Sequence, residues 1–282
     1  MIHCGKPNVA LMGAPYLALL FLLLSSCKGE PIGPWHDGRA TYYLEIDGGN
    51  CGYGPIAREA FPHGFIVAPN QALFAESEVC GACFEVVCDA DKSPDACLDG
   101  NSSVIVQATD QCPCEGNEGW CCGDMDHFDL SLAAFEEIAK TSAGVFFTKY
   151  RRVACDVRGP LKLKLKDGTN AWWFAVLPFN VGGGGTVSKV EVKDSGASDW
   201  TSMERQSYNY WLAESGPGFQ APLEVRVTNE VSGESLIVVV NQIQEESIHE
   251  ADTNFDATDG VDGGSAAPCP RLSSPLLSSF LL

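Results

Sequence analysis

Alternation of apolar and polar positions organises two long stretches of the chain. In the first, "ATYYLEI" (40–46), "CFEVVC" (83–88), "SVIVQAT" (103–109) and "YRRVAC" (150–155) are short β-branched or aromatic runs between Gly-, Pro- and Cys-rich turns. Runs of that length bounded by turn formers predict strands. In the second, "LKLKLKD" (161–167) alternates strictly, one face apolar and one cationic, which predicts a half-buried strand. "TVSKVEVKD" (186–194), "APLEVRVTN" (221–229) and "ESLIVVVNQI" (234–243) follow, with Gly and Ser-Gly turns between them. One helix is predicted, because Leu132, Phe135, Ile138 and Ala139 share a face and Gly144 offers a left-handed stop. The pattern predicts a mostly-β chain: a first domain over 36–157 with one or two helices, then an antiparallel β-sandwich over 160–244.

Composition narrows the picture. The chain has 282 residues, 45% of them hydrophobic, enough for one large domain or two ordinary ones. Its net charge of −19 makes nucleic acid and anionic membrane surfaces poor partners. Residues 245–262 hold seven acids and no Lys or Arg, so the remainder still carries −12 (−19 plus 7). Residues 245–282, acidic and then Ser/Pro-rich, read as a disordered tail. Near the N-terminus "LALLFLLL" (17–24) is an apolar run of eight, too short for a span of about 20 residues. It reads as the core of a secretory signal covering 1–27, although "LSSC" (24–27) also fits a lipobox at Cys27. The expected location is therefore extracellular, with no membrane span.

Cysteine usage agrees with secretion. Of thirteen cysteines, ten lie between Cys51 and Cys155: Cys51, Cys80, Cys83, Cys88, Cys97, Cys112, Cys114, Cys121, Cys122 and Cys155. Five bridges are possible, but spacing does not assign their connectivity. "CGAC" (80–83) has zinc-ribbon spacing, yet no second such pair accompanies it and no metal is expected. Residues 156–244 contain no cysteine, which marks the domain boundary.

Two carboxylates stand out. Asp129, in "HFDLS" (127–131), sits where a helix cap is plausible, but Ser131 could cap equally well. An aromatic neighbour can also desolvate the acid and raise its pKa toward a proton-donating value. Asp110, in "QATDQCPC", follows a strand and precedes a Cys-Pro-Cys turn, a common place for site residues. Hydrolysis of a glycosidic bond needs two such groups. Aromatics gather in "NAWWFAV" (170–176) and "QSYNYWLA" (206–213). On a regular strand one of Trp172 and Trp173 would be core and the other exposed; both are exposed only on a bulge or loop. His127 reads as a structural histidine. "NSS" (101–103) is a glycosylation sequon. "VGGGGT" (181–186) lacks phosphate-loop and dinucleotide spacing, and no cofactor is expected.

In order along the chain, "ATYY", "CGYGP", "CGACFEVVC", "TDQCP", "HFDLS", "YRRVAC", "WW", "FNVGGGG" and "SYNYW" resemble the expansins over residues 36–244. The resemblance implies a six-stranded double-psi β-barrel, similar to family 45 glycoside hydrolases, followed by an immunoglobulin-like β-sandwich that binds polysaccharide. It implies that Asp129 is the acid shared with the hydrolases, and that Asp110, Thr41 and Tyr43 line a sugar groove. Trp172, Trp173 and Tyr208 would form the flat platform of the second domain. The hydrolases carry a base near the first strand. Here Leu44 stands nearest to it, and Glu45 alternates to the other face. The expected activity is therefore non-hydrolytic loosening of the cell wall, by a monomer, through binding of cellulose, xyloglucan or a related β-glucan. The alternatives are a family 45-like endoglucanase using Asp129 with Asp110 or Glu45, and a passive polysaccharide-binding surface protein. The acidity departs from the family pattern, because anionic walls favour basic surfaces.

Overall fold

The computed structural model describes residues 29–44, 46–55, 61, 65–98, 102–123 and 125–256. Six strands close into a barrel: β1 (His36–Tyr43), β2 (Ile66–Pro69), β3 (Cys83–Cys88), β4 (Ser103–Ala108), β5 (His127–Ser131) and β6 (Phe146–Val153), in the order β1-β5-β2-β4-β3-β6. The β1/β5 and β2/β4 pairs are parallel. Alternation sorts β1 and β5 into two faces. Ala40, Tyr42, Phe128 and Leu130 turn into the core with Phe84, Val106, Phe135 and Phe146. Arg39, Thr41 and Tyr43, with His127 and Asp129, therefore share the outer face. Each fully buried Phe or Leu stabilises the barrel by about 1.5–3 kcal/mol.

The predicted helix is cut short. Only α1 (Leu132–Phe135) is helical, and Ser131 at its cap position makes no side-chain cap bond. Asp129 is not a cap; it lies inside β5. The cause is competition for backbone groups. β5 pairs with β1 on one side and β2 on the other. Beyond the helix, Ala139 bridges Cys97 and the Ile138 carbonyl accepts from the Leu98 N–H. Ile138 and Ala139 are still buried, so the apolar spacing reported burial rather than helix length.

The second half forms two antiparallel sheets. One contains β9 (Val187–Asp194), β10 (Thr201–Ser202), β13 (Leu223–Asn229) and β14 (Ser235–Val240), in the order β10-β9-β13-β14. The other contains β7 (Lys162–Leu165), β8 (Trp173–Phe179), β11 (Glu204–Arg205), β12 (Trp211–Glu214) and β15 (Ile248–Glu250), in the order β11-β12-β8-β7-β15. Leu163, Leu165, Phe174, Val176, Val190, Val192, Trp211, Val225 and Val238 fill the space between them. This is an immunoglobulin-like sandwich.

The reading of residues 245–282 as a tail is corrected for 245–256. β15 pairs with β7, and Phe255 is only 4% exposed in the sandwich core. The acids there answer the cationic face of β7, with Lys162 to Glu250 at 3.0 Å and Lys164 to Glu246 at 3.8 Å. Acidic composition hid a strand that pairs with the cationic β7. The signal segment, Glu45, Asn101 of the sequon and residues 257–282 lie outside the described residues.

Among the described residues, five disulfides pair Cys51–Cys80, Cys83–Cys155, Cys88–Cys97, Cys112–Cys121 and Cys114–Cys122. All tie the barrel or its exit. Barrel and sandwich belong to one compact unit. Asn209 Nδ2 donates to the Cys51 carbonyl at 3.2 Å, and Arg205 Nη1 donates to the Ser77 carbonyl at 3.1 Å. Arg152 of β6 donates to the Gly184 carbonyl at 2.8 Å. These are buried or part-buried bonds across the junction, each worth on the order of 1 kcal/mol. No helix among the described residues is long and apolar enough to cross a membrane.

Candidate carbohydrate-binding site

The outer face of the β1/β5 pair carries the acid. Thr41 and Asp129 stand opposite in register, and the Thr41 hydroxyl donates to Asp129 Oδ1 at 2.8 Å. Thr41 Oγ1 also lies 3.0 Å from His127 Nε2. A hydroxyl has one proton. With that proton on Asp129, Nε2 must be the protonated nitrogen of His127, and it donates to Thr41. Nδ1 is then a bare lone pair, buried and without a partner among the described residues. Burial, and secondarily Arg39, lower the His127 pKa to about 4, so the ring is neutral above that pH. His127 is fully buried and serves to orient Thr41.

Burial raises the Asp129 pKa. The Thr41 hydrogen bond opposes the rise, and the Asp110 charge adds to it. The carboxyl is only partly covered, so it remains open to a ligand. Asp110 follows β4 and is held differently. Its Oδ1 accepts from the Asn50 N–H at 2.6 Å and from the Gln111 N–H at 2.7 Å. The 48–52 turn must come close to do this. Gly49 has φ 84°, and a Cβ there would meet the Thr109 carbonyl at 2.6 Å. Tyr43 sits between the acids; burial, then Asp110 and Asp129, raise its pKa. Its hydroxyl is buried near that of Thr109, and neither reaches hydrogen-bond geometry among the described residues. Leu44, the position nearest a hydrolytic base, is 71% exposed and apolar.

The aromatic group of the second domain is only partly as the alternation rule expects. Trp172 lies in the turn before β8 and is 61% exposed. Trp173 is the first residue of β8 and half-buried. The Asn170 side chain accepts from both backbone amides, Trp172 N at 2.9 Å and Trp173 N at 3.1 Å. That turn frees Trp172 from the strand's alternation. Phe174 and Val176 point into the core, so Trp173 faces outward on its sheet. Tyr208 is half-buried, its ring 5.9 Å from that of Tyr210.

The structure brings Thr41, Tyr43, Asp110 and Asp129 together on the barrel. Trp172, Trp173 and Tyr208 are on the sandwich. Cys112, Cys121 and His127 also place ligand-type atoms within 4.8 Å of one another. Both sulfurs are joined in a disulfide, which leaves one imidazole where zinc takes four ligands. Sequence reasoning missed Arg39 and Trp120. The Arg39 guanidinium lies 4.9 Å from the Trp120 ring centroid, and the indole is 6.2 Å from the His127 ring. The period-two spacing of Arg39, Thr41 and Tyr43 could have found Arg39. Trp120 lies in a loop, where no period applies.

A closed barrel with two parallel pairs joined to an immunoglobulin-like sandwich defines the class. Residues 66–150 match the lytic transglycolase double-psi barrel family, and residues 161–243 match the expansin C-terminal domain. "Expansin-like protein 1" of Dictyostelium discoideum is 34% identical over 264 residues, covering 92% of this chain and 85% of that protein. "Putative expansin-A26" of Arabidopsis thaliana is 39% identical over 186 residues, and the match spans 63% of each chain. The crystal structure of an apo expansin of Clavibacter michiganensis superposes with TM-score 0.63 at 25% identity, covering 79% of this chain and 98% of that one. The chain belongs to the expansin family.

Proposed function

We propose that this protein is secreted, binds β-glucan chains of a cell wall and loosens their noncovalent contacts without hydrolysis. The observation that carries the reading is the asymmetry of the two acids. Asp129 is open and has a raised pKa. Asp110, its only described carboxylate neighbour in the groove, spends one oxygen on two backbone amides. Apolar Leu44 stands nearest the position of the hydrolytic base; an acid without a base there activates water poorly, whereas it can hydrogen-bond a sugar hydroxyl. The exposed indole of Trp172 and the outward Trp173 supply flat apolar surface for pyranose rings. A Clavibacter expansin mutant of the same fold was crystallised with cellohexaose, which makes cello-oligosaccharides the natural first probe.

The test measures wall extension and reducing-sugar release on the same wall sample, for the native chain and for Asp129→Ala. Extension without sugar release, lost in the variant, is the expected result. Sugar release abolished by Asp129→Asn and reduced by Glu45→Gln or Asp110→Asn would establish an endoglucanase instead. Cellulose pull-down with neither effect would leave a passive binder.

A further inference from the structure

We propose that Trp120 forms a second aromatic sugar subsite, on the barrel itself, at the end of the groove remote from the sandwich. The inference rests on the β-glucan reading of the groove and extends it. The groove's direction follows from the bonds. At one end Asn50 contacts Asp110, and the adjacent Cys51 carbonyl accepts from Asn209, next to Tyr208 of the sandwich. At the other end, two residues back along β1 and β5 from Thr41 and Asp129, stand Arg39 and His127 in register. The Trp120 indole lies over both.

The indole is built into place. Arg39 donates to the Gly119 carbonyl at 2.8 Å and to the Trp120 carbonyl at 2.9 Å. Its guanidinium occupies one side of the ring. The Cys112–Cys121 and Cys114–Cys122 bridges clamp the loop on either side of the base. Yet the residue is 44% exposed. A ring that served only to cover His127 would gain most by burying itself fully. An indole held by Arg39 and still 44% exposed leaves apolar ring surface that a pyranose can stack on. Ligand chemistry at this end is a glucosyl unit of the same chain that passes Asp129.

The six tryptophans permit a direct test. The full chain is labelled with 5-fluorotryptophan, and Trp120→Phe and Trp172→Phe assign two fluorine resonances. On titration with cellohexaose both resonances should move and saturate together. Movement of the Trp172 resonance with Trp120 unchanged would overturn this subsite while leaving the sandwich platform intact. If neither moves, the β-glucan reading of the groove falls, and the subsite with it. Trp120→Phe should keep most of the cellohexaose affinity, and Trp120→Leu should lose about tenfold. Equal affinity of Trp120→Leu and the native chain would also refute the proposal. Circular dichroism of both variants controls for folding.

Discussion

Thr41 and Asp129 are joined across the parallel β1/β5 pair by a 2.8 Å hydrogen bond that His127 orients from behind. Removing the hydroxyl therefore does two things. Thr41→Val leaves Nε2 of a fully buried histidine without an acceptor, costing about 1–3 kcal/mol. It also removes the one interaction that lowers the Asp129 pKa. Denaturant unfolding should show the destabilisation. The pH at which wall-loosening activity changes should move upward relative to the native chain, while Thr41→Ser should restore both.

Asp129 itself carries a pH signature. Burial raises its pKa in the fold above the unfolded value, so its favourable contribution is complete below the unfolded carboxylate range. That contribution fades as pH rises through the raised folded value. Asp129→Asn never ionises and its carbonyl still accepts from Thr41. Its melting temperature should equal the native one near pH 3 and exceed it by about 2 °C at pH 7. Activity should fall in the same variant. A lower melting temperature at pH 7 would contradict the assignment.

Backbone contact at the junction can be probed with two glycines. A Cβ on Gly185, at φ 76°, would strike the Gly81 carbonyl at 2.3 Å and Cys155 Sγ at 2.6 Å. Gly233, at φ 70°, has nothing within 4 Å. Gly233→Ala should cost about 1–2 kcal/mol, the penalty of the left-handed conformation alone. Gly185→Ala should cost more than about 3 kcal/mol, because neither neighbour can yield without moving backbone or a disulfide. Urea midpoints for the pair decide the point.

Ending the chain after Gln244 would remove β15 and Phe255. Loss of a fully packed Phe alone costs about 3–5 kcal/mol. The truncated protein should melt well below the native one and expose apolar surface to a fluorescent dye. Phe255→Ala in the full chain should reproduce most of the loss.

Much of the architecture was legible because burial has a period. β3 (Cys83–Cys88) coincides with the strand read from "CFEVVC", and "LKLKLKD" shows its buried leucines and half-exposed lysines as alternation requires. β2 (Ile66–Pro69) escaped because it is buried on both faces and so has no alternation. β5 escaped for the opposite reason. "HFDLS" alternates, but the apolar spacing that follows it looked helical, and only pairing on both edges decided the matter. The acids Asp110 and Asp129 were visible as residue types in suggestive places. That one is pinned in part by an amide from a turn sixty positions away, and the other held by a relayed hydroxyl, was not.

By itself, then, the sequence determined what depends on local order: strand period, the cysteine-free run over 156–244, the carboxylates and aromatics available for sugar chemistry. Tertiary structure alone decided disulfide pairing, the direction in which His127 donates, the freedom of Trp172 and the recruitment of residues 245–256 into the sandwich. Those outcomes turn on contacts between residues far apart in the chain. Which distant group supplies a proton, a counter-charge or a covered surface is settled only when the sheets close.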